Sequence, residues 1–355
     1  MSAAPRRVGL LTAGGDCPGL NAVIRAVAKC LIFEHGIEVV GIMDGFKGLV
    51  ENNARELSSN DVSGILTLGG TILGTTNKEN PFKYPVRKGR EIVYEDRSRD
   101  VLWTMEKLRL DMVICIGGDG TQSISHQLMQ KGVEAVGVPK TIDNDLHGTD
   151  LTFGHDTAVA VATEAIDRIH TTAMSHHRVM VVETMGRYTG WIALRSGIAG
   201  GGDILLIPEI PYRLESICQF IRRRSEMGRS FSIVVVAEGA KPLGGEVTAR
   251  RSVADASDPI RLGGVGDRVA LEIEKLTEIE SRAVILGHIQ RGGTPTPFDR
   301  ILATRYGVAA ANLAARGDTG KMVALRGDDI VTVSLEQVAM GPRLVPESSP
   351  LIAAA

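Results

Sequence analysis

One stretch of the chain, Asp111 to Asp145, constrains the fold more than any other. It opens with an unbroken apolar run, Met112 to Ile116, which is rich in β-branched residues and typical of a strand buried on both faces. The glycine segment GGDGT (117–121) breaks that run, a helical pattern of apolar residues follows as far as Gly132, and a second apolar run stops at Pro139. Strand, glycine loop, helix and strand in this order predict a βαβ unit. We therefore expect an α/β fold with a parallel sheet.

Polar residues follow both strands of this unit, where the carboxyl ends of parallel strands form the ligand crevice of an open sheet. The three glycines of GGDGT let backbone N–H groups approach an anion, and the next helix adds its positive N-terminal end. Asp119, Asp143 and Asp145 would repel a phosphate, so Mg²⁺ ligation or proton abstraction explains them better. Lys140 and Thr141 supply the positive charge and the donor that a transferring phosphoryl group needs. A tight turn beside a solvated acidic loop is the plainer alternative.

A second glycine loop lies near the start of the chain. The apolar strand Val8 to Thr12 is followed by GGDCPG (14–19) and by a helical pattern from Asn21 to Phe33. The spacing matches neither GxxxxGK[ST] nor GxGxxG, so neither named nucleotide motif applies. On these residues alone, an anion site and an ordinary strand-to-helix turn are equally good readings.

Composition limits the function classes. A chain of 355 residues is long enough for about two domains. Its 43% hydrophobic and 4% aromatic residues predict an aliphatic core, and a formal net charge of -2 gives no reason to expect nucleic acid or an anionic membrane as partner. Four scattered cysteines with no CxxC pair indicate buried thiols in a reducing compartment, although Cys17 lies within a glycine loop where it could be reactive. With no signal peptide and no membrane-spanning run in the sequence, we expect a cytoplasmic protein.

The chain resembles the 6-phosphofructokinases in six segments that occur in the same order and reach to about Arg305. GGDGT alone is weak, because NAD kinases and lipid kinases carry something similar. The segments are GGDGT with PKTIDND (117–121, 139–145), LLTAGGDCPGLNAVIR (10–25), GGTILGTT (69–76), SHHRVMVVETMGRYTGW (175–191), AEGAKP (237–242) and ILGHIQRGGTPTPFDR (285–300).

This resemblance implies two doubly wound, Rossmann-like α/β domains with a central, mostly parallel sheet and an active site in the cleft between them. Residues 1–155 with about 290–340 would bind the nucleotide. Residues 156–289 with the C-terminal tail would bind the sugar phosphate. The polar segment 243–267 has no assigned role.

The implied reaction is a glycolytic one, phosphoryl transfer from ATP to the C1 hydroxyl of fructose 6-phosphate with Mg²⁺ as the metal. Asp143 would accept the hydroxyl proton, and Asp119 and Asp145 would hold the metal. Charge on the transferring group would be stabilised by Lys140, Thr141 and Arg187.

The resemblance also assigns binding residues. An arginine is common at the position of Asn77, so Lys78 would substitute for it. Arg178 and Arg282 would reach into the site of a neighbouring subunit, which implies a homo-oligomer, either a dimer or a tetramer. The nucleotide would contact Gly15, Asn77, Lys78, Gly118, Asp119, Gly120 and Thr121. The sugar phosphate would contact Thr141, Ile142, Asp143, Arg178, Met185, Gly186, Arg187, Glu238, Arg282, His288, Ile289, Gln290 and Arg291.

Two residues bear on the phosphoryl donor. Pyrophosphate-dependent members of the family usually have Asp at the position of Gly120 and Lys at that of Lys140, whereas the best-known bacterial ATP enzymes have Gly at both. A carboxylate at residue 120 would repel the α-phosphate of ATP, so Gly120 predicts ATP, and a pyrophosphate-dependent enzyme remains the alternative. More remote alternatives are another kinase with a GGDGT motif and a non-catalytic nucleotide-binding subunit.

Allosteric control is a further implication of the family. Parts of its effector pocket are matched by Arg25, Lys29, Asp203 and Arg229, but Ser58 stands where an arginine is typical. Control by phosphoenolpyruvate or ADP would therefore be weakened or absent.

Overall fold

The computed structural model describes residues 5–89, 91–252 and 260–355, and the chain divides into two units. One unit holds the described residues up to Gly154 together with Arg291–Pro342. The other holds the described residues between His155 and Gln290 together with Arg343–Ala355. Both units are α/β, as the sequence predicts, and each contains a sheet of mainly parallel strands. Of the polar segment 243–267, residues 253–259 lie outside the described residues.

The elements are numbered along the chain. The N-terminal part of the first unit contains β1 (Arg7–Thr12), α1 (Leu20–Lys29), β2 (Glu38–Ile42), α2 (Phe46–Glu51), β3 (Ala54–Leu57), β4 (Tyr84–Lys88), β5 (Glu91–Glu95), α3 (Ser98–Lys107), β6 (Met112–Gly117), α4 (Asp119–Met129) and β7 (Ala135–Pro139). A π-helical turn, Cys30–Glu34, continues α1.

The second unit then follows, and the chain afterwards returns to the first. The second unit contains α5 (His155–His176), β8 (Val179–Thr184), α6 (Trp191–Ala199), β9 (Ile204–Leu206), α7 (Leu214–Glu226), β10 (Ser232–Ala237), β11 (Ala249–Ser252), β12 (Ile260–Leu262), α8 (Val265–Thr277) and β13 (Ser281–Ile285). After a 3₁₀ turn, Gly287–Arg291, come α9 (Pro297–Ala315), β14 (Lys321–Arg326), β15 (Asp329–Ser334), α10 (Leu335–Val338) and α11 (Pro350–Ala354).

The sheet of the first unit has the strand order β15-β14-β7-β6-β1-β2-β3. Its inner strands are parallel, while β3 and β15 are antiparallel edges. The chain leaves β1 towards β2 on one side and later places β6 on the other side. The order therefore reverses between β1 and β6, and ligands of open α/β sheets bind at such a switch point.

Burial explains why these strands form the centre of the sheet. Every residue of β6 and β7 is buried, as expected for apolar strands covered on both faces. Helix α9 approaches α1 closely because Gly307 has no side chain, since a Cβ there would lie 2.6 Å from the Cβ of Ala26. The core of this unit is aliphatic, as the composition predicts.

The sheet of the second unit has the order β13-β8-β10-β9, and all of its strands are parallel. Every residue of β8 and β10 is buried. A separate antiparallel pair is formed by β11 and β12.

The charged stretch from Arg87 to Arg109 differs from a simple surface helix. Its first part belongs to the hairpin of β4 and β5, and only its second part forms α3. Charged side chains occur on an exposed antiparallel ribbon as well as on a surface helix, so charge alone does not distinguish the two. Among the described residues, no helix combines the length and the apolar character that a bilayer crossing requires.

Candidate active site

The loop between β1 and α1 is shaped by its glycines. Gly14 and Gly19 have left-handed backbone angles, φ 81° and 102°, which L side chains rarely adopt. The N–H of Gly14 donates to the carbonyl of Thr76 at 2.9 Å, and the hydroxyl of Thr75 donates to the carbonyl of Gly14 at 2.6 Å. The segment GGTILGTT therefore braces this first loop, and two of the predicted nucleotide segments lie together.

The loop between β6 and α4 is as compact as its sequence predicts. A Cβ on Gly117 would lie 2.1 Å from the hydroxyl oxygen of Thr121, so no larger residue fits there. The helix begins at Asp119, directly after the strand, and the N–H groups of a helix's first turn have no intrahelical partner. Asp119 is half-buried and Gly120 is exposed, with no atom within 4 Å of the position of a Cβ. This loop offers backbone donors and open space beside them.

The third loop follows β7, and its first part, Lys140 to Leu146, is buried. Asp143 is 7% exposed and Asp145 is 8% exposed, which is unusual for carboxylates. Asn144 adopts φ 54°, and its Oδ1 accepts from the N–H of Thr152 at 3.1 Å. The hydroxyl of Thr152 in turn donates to the carbonyl of Thr141 at 2.7 Å. Asn144 and Thr152 thus fix the backbone that carries both carboxylates.

Backbone hydrogen bonds bring the three loops together at the switch point of the sheet. The N–H of Ala13 donates to the carbonyl of Ile116 at 3.0 Å, and that of Lys140 donates to the carbonyl of Gly117 at 3.1 Å. The side-chain amide of Gln122 also donates to the carbonyls of Gly117 and Val138, at 3.0 and 3.1 Å. Glycines, carboxylates, Lys140 and Thr141 therefore share one edge of the sheet, as expected from the two motifs. Gln122 was not anticipated, although a polar residue on the buried face of a helix is the signal that could have indicated it.

Lys140 points its ammonium group into the first glycine loop, where it donates to the carbonyl of Gly15. The residue is only 3% exposed, and desolvation by this burial lowers the pKa of Lys140 below the ordinary value of 10.5. The carboxylates of Asp16 and Asp143 oppose that shift. The charge is therefore held where an anion would compensate for the lost hydration.

Cys17 is not the reactive thiol that its place in a glycine loop could suggest. It is fully buried, and desolvation raises its pKa to about 12. All four cysteines are free and buried, in agreement with the sequence-based expectation of unpaired thiols.

Arg291 lies against the first glycine loop. Its Nη1 donates to the carbonyl of Asp16 at 3.0 Å, and a Cβ on Gly15 would lie 2.8 Å from the same nitrogen. A side chain at residue 15 would displace the guanidinium from this position. The side chains of Asn77 and Lys78, which follow the bracing segment, are exposed.

In the second unit, three predicted sugar-phosphate residues line one cavity at the carboxyl ends of β8, β10 and β13. Met185 follows β8, Glu238 follows β10 and His288 follows β13. The cavity has a volume of about 90 Å³. Its position matches the rule that ligands of parallel sheets bind beyond the carboxyl ends of the strands.

The turn after β8 requires a backbone conformation that glycine adopts readily. Gly186 has φ 144°, and a Cβ there would lie 2.5 Å from the carbonyl oxygen of Thr189. Arg187 adopts φ 54°, and its N–H donates to Oε1 of Glu238 at 3.1 Å. Glu238 therefore holds the turn that carries Arg187 while it also lines the cavity.

The remaining residues of the GHIQRGG segment have different surroundings. Ile289 is 60% exposed, whereas Gln290 is fully buried and its amide donates to the carbonyl of Gly287 at 3.0 Å. The side chain of Gln290 thus stabilises the 3₁₀ turn from within. Ile142 is also fully buried, so a ligand would meet its backbone rather than its side chain.

Arg178 and Arg282 lie at the opposite end of the same sheet. Arg178 precedes β8, and Arg282 is paired with Met180 near the start of that strand. Six residues of β8 separate this end from Met185, a distance of roughly 20 Å. Both arginines bind one carboxylate, Glu280, at 2.7 and 2.6 Å, and the hydrogen bond from Arg178 lowers the pKa of Glu280.

Two further acids organise the second unit and were not anticipated. Glu183 is 2% exposed and accepts from the N–H groups of Gly264 and Gly266, so its carboxylate lies at the N-terminus of α8. Glu209 accepts from the N–H groups of Gly190 and Val345 at 3.1 and 2.9 Å. An acid at the end of a wholly apolar strand, as Glu183 is, is a signal that the sequence carries.

Two of the residues compared with the effector pocket are engaged with neighbouring side chains. Asp203 forms an ion pair with Arg224 at 2.6 Å, and both side chains are largely buried. The hydroxyl of Ser58 donates to Asp61 at 2.5 Å. Allosteric control stays a prediction.

The fold and the loops place the chain among α/β proteins that bind phosphorylated ligands at the carboxyl ends of parallel strands. Comparison with known proteins then identifies the group. A family model described as phosphofructokinase matches residues 7–314, and the chain belongs to this family. The family predicted from the six segments is confirmed.

Individual relatives agree with this assignment. The chain is 54% identical over 338 residues to a protein named ATP-dependent 6-phosphofructokinase from Chloroflexus aurantiacus, covering 95% of this chain and 92% of that protein. It is 51% identical over 341 residues to a protein from Amycolatopsis mediterranei named pyrophosphate–fructose 6-phosphate 1-phosphotransferase, with 96% of each covered. The crystal structure of Pichia pastoris phosphofructokinase in the T-state matches with a TM-score of 0.80 and 31% identity. That match covers 96% of this chain and 36% of the yeast chain, so this chain spans about a third of its length.

Proposed function

We propose that the protein is an ATP-dependent 6-phosphofructokinase, which transfers a phosphoryl group from ATP to the C1 hydroxyl of fructose 6-phosphate. The observation that carries this proposal is the meeting of three loops at the switch point of the first unit. There, glycine N–H groups lie beside a buried lysine, a threonine and buried carboxylates. Family membership and the name of the Chloroflexus relative support the same reaction.

The acidic loop supplies the base and the metal ligands in this proposal. Asp143 accepts the proton of the attacking hydroxyl. Asp119 and Asp145 fit Mg²⁺, because carboxylate oxygens are the ligands that this ion prefers and the two residues follow neighbouring parallel strands. When bound, Mg²⁺ neutralises charge on the donor phosphates.

The transferring group is stabilised by donors from the same loops. Lys140 and the hydroxyl of Thr141 face the developing negative charge, and the guanidinium of Arg187 is a further proposed stabilising group. The nucleotide phosphates lie on the N–H groups of Gly118, Gly120 and Thr121. Gly15 contributes from the first loop, and Asn77 and Lys78 contribute from just after the GGTILGTT segment. Preorganised donors of this kind supply most of the catalysis in phosphoryl transfer.

Fructose 6-phosphate binds to the second unit. Glu238 accepts from a sugar hydroxyl, and His288 binds the 6-phosphate, with Met185 lining the cavity. Gly186, in the turn after Met185, is a further proposed contact. Arg291 also belongs to the predicted phosphate ligands, although its guanidinium contacts the carbonyl of Asp16 here. Backbone groups of Ile142, Ile289 and Gln290 complete the proposed sugar-phosphate contacts.

Arg178 and Arg282 serve the site of a neighbouring copy, so the active protein is a homo-oligomer. Their place at the amino-terminal end of β8 and β13 supports this, since the cavity of their own chain lies at the other end. The ion pairs with Glu280 are partly exposed, and exposed pairs contribute little stability. Exchanging Glu280 for a phosphate would therefore cost little stability.

Pyrophosphate is the second candidate donor. Lys140 and the name of the Amycolatopsis relative favour it, whereas Gly120 favours ATP. The space at Gly120 is open, with no atom within 4 Å of a Cβ position, so a nucleotide α-phosphate meets no side chain there. Purified protein should therefore turn over ATP faster than pyrophosphate in one coupled assay, and the reverse order would overturn the assignment of the donor.

Gly120→Asp tests this reasoning directly. The side chain fits the open space, so the fold should persist while the carboxylate repels the α-phosphate. We expect kcat/KM for ATP to fall about tenfold or more, with a smaller effect on pyrophosphate. Gly120→Ala is the matched control, because it adds a Cβ without charge and should retain the activity with ATP. Equal losses in both variants would show that charge at residue 120 does not select the donor.

A further inference from the structure

A cluster of potential metal ligands lies on the first unit, on residues that the proposed phosphoryl-transfer chemistry does not use. One ligand atom each from Cys30, Glu34 and His35 lies within 4.8 Å of the others. Asn312 faces the same point. Its Oδ1 is 2.9 Å from Nε2 of His35 and 3.8 Å from Sγ of Cys30, while Sγ of Cys30 is 3.6 Å from the carboxylate of Glu34. Four possible ligand atoms, one sulfur, one nitrogen and two oxygens, therefore lie close together.

The convergence depends on the π-helical turn that ends α1. A π turn closes its hydrogen bonds from residue i to i+5, so it places residues i+4 and i+5 one turn beyond residue i. Glu34 and His35 therefore both come to lie over Cys30. In a continuous α-helix His35 would be rotated by about 140° from Cys30. π-Helical turns are rare and occur frequently at functional sites.

The fourth side chain is delivered by α9. Gly307 lets this helix approach α1, because a Cβ there would lie 2.6 Å from the Cβ of Ala26 and 3.0 Å from the carbonyl of Val23. The close approach brings Asn312 beside the π turn. Cys30 is 4% exposed and fixed by the packing, and His35 is held by Asn312, so two ligands are positioned before any ion arrives.

We propose that Cys30, Glu34 and His35 form a Zn²⁺ site, completed by Asn312 or a water molecule. Zn²⁺ prefers thiolate, imidazole and carboxylate ligands in tetrahedral geometry, whereas Mg²⁺ and Ca²⁺ are bound by oxygen alone. Bonds of the usual Zn²⁺ lengths place neighbouring ligands about 3.5 Å apart, close to the separation of Cys30 and Glu34. One thiolate and one carboxylate would balance the two charges of the ion.

Binding has a defined proton balance. Burial, followed by the Glu34 carboxylate, raises the pKa of the Cys30 thiol to about 11, so the ion displaces one proton from sulfur at neutral pH. The imidazole of His35 binds in its neutral form through Nε2, which exchanges its hydrogen bond with Asn312 for the metal. The other packed element, α9, contributes the neutral Asn312. The bound ion would join the end of α1 to α9.

The full-length protein should be titrated with Zn²⁺ and, separately, with Co²⁺ in the presence of excess Mg²⁺, which occupies carboxylate-only sites. We expect one Zn²⁺ per chain and a thiolate-to-Co²⁺ charge-transfer band. Cys30→Ser should abolish the band, and His35→Asn should weaken Zn²⁺ binding at least about tenfold. His35 is exposed, so its replacement does not threaten folding.

Cys218→Ser is the matched control, because it removes another buried thiol that belongs to the second unit. It should retain both the band and the Zn²⁺ affinity. Absence of Zn²⁺ binding by the unmodified protein would overturn the proposal, and so would a cobalt band that survives Cys30→Ser. None of these readouts depends on phosphoryl transfer, so the site and the proposed enzyme activity are tested separately.

Discussion

At the scale of single residues, the proposed active site brings together groups that are costly to bury. Lys140 loses nearly all of its hydration, and Asp143 and Asp145 are almost as inaccessible. Burial disfavours the charged form of each of these side chains unless an opposite charge or a hydrogen bond compensates. Such groups recur at functional sites, and here a phosphate and its metal ion would compensate for part of the lost hydration.

Asp143→Asn should lower kcat by about 100-fold or more, because the amide has nearly the same shape but cannot take up a proton. The KM for fructose 6-phosphate should change little if Asp143 acts mainly as the base. Steady-state kinetics with ATP and fructose 6-phosphate measure both values. Asp328→Asn, the same replacement at an exposed turn of the first unit, is the control. Near-normal turnover of Asp143→Asn would show that another group accepts the proton.

Lys140 predicts an alkaline limit to activity. Burial lowers its pKa below 10.5, so its ammonium form is lost at a lower pH than that of a free lysine. If the ammonium stabilises the transferring group, kcat/KM should fall with rising pH through this lowered pKa, because kcat/KM reports the ligand-free enzyme. Lys140→Met should have a smaller kcat/KM that lacks this fall, whereas Lys131→Met, an exposed lysine, should preserve it. Because the pKa of Lys140 is lower in the folded protein, the unfolded chain keeps this proton up to a higher pH. The free energy of unfolding therefore rises with pH through this range. A pH–rate profile that is identical in the protein and in Lys140→Met would exclude the role.

At the scale of elements, the C-terminal segment stabilises the turn after β8. Arg343 lies over the ring of Trp191 at 4.7 Å, and its carbonyl accepts from Nε1 of Trp191 at 3.0 Å. Glu209 accepts from Gly190 and from Val345, so one carboxylate joins this segment to the start of α6. The turn that carries Met185 and Arg187 leads directly into that helix. Its position therefore depends on residues more than 150 positions away in the chain.

Glu209→Ala should release both N–H groups and loosen this turn. Loss of hydrogen bonds to a charged acceptor costs about 2 kcal/mol of unfolding free energy, which urea denaturation measures. The KM for fructose 6-phosphate should rise several-fold, and the fluorescence of Trp191 should report a wetter environment. Glu226→Ala, at an exposed site near the end of α7, should change neither. If the KM is unaffected while stability falls, Glu209 contributes to folding without positioning the turn.

At the scale of the whole molecule, the two ends of the second unit's sheet have separate proposed roles. The carboxyl end carries the cavity with Glu238 and His288, and the amino end carries Arg178 and Arg282. A single chain therefore cannot use both ends of this sheet for one small ligand. A closed oligomer resolves this, because a symmetric interface presents the same surface of each copy to the other.

Mixing two inactive variants tests this arrangement. Arg178→Ala lacks the group donated to the neighbour, and Asp143→Asn lacks the base in its own site. Co-refolded mixtures should regain activity to about a quarter of the unmodified level, since half of the random pairs are mixed and each mixed pair has one intact site. Each variant mixed with itself is the control. Failure to regain activity in mixtures that do exchange subunits would mean that Arg178 acts within its own chain or not at all.

Local patterns in the sequence were sufficient for much of the fold and the first unit's loops. The apolar runs that form β1, β6 and β7, and the glycine segments between strand and helix, depend on neighbouring residues alone. Hydrophobic periodicity and turn chemistry therefore predict them. The hairpin of β4 and β5 was not predicted, because charged residues occur in several kinds of surface structure. Glu209 was missed because its partner Val345 is distant in sequence. Gln122 was missed because its partners are backbone carbonyls, which no residue type in the sequence marks.

The sequence by itself determined that glycine loops and buried acids end neighbouring parallel strands, since each motif specifies its own strand, turn and helix. Only the tertiary structure decided that Lys140 enters the loop of Gly15, that Arg291 contacts Asp16, and that Arg178 and Arg282 lie at the far end of their sheet. These contacts join residues separated by up to 275 positions. Strand order and helix packing determine such pairings, and neither is encoded in a local pattern.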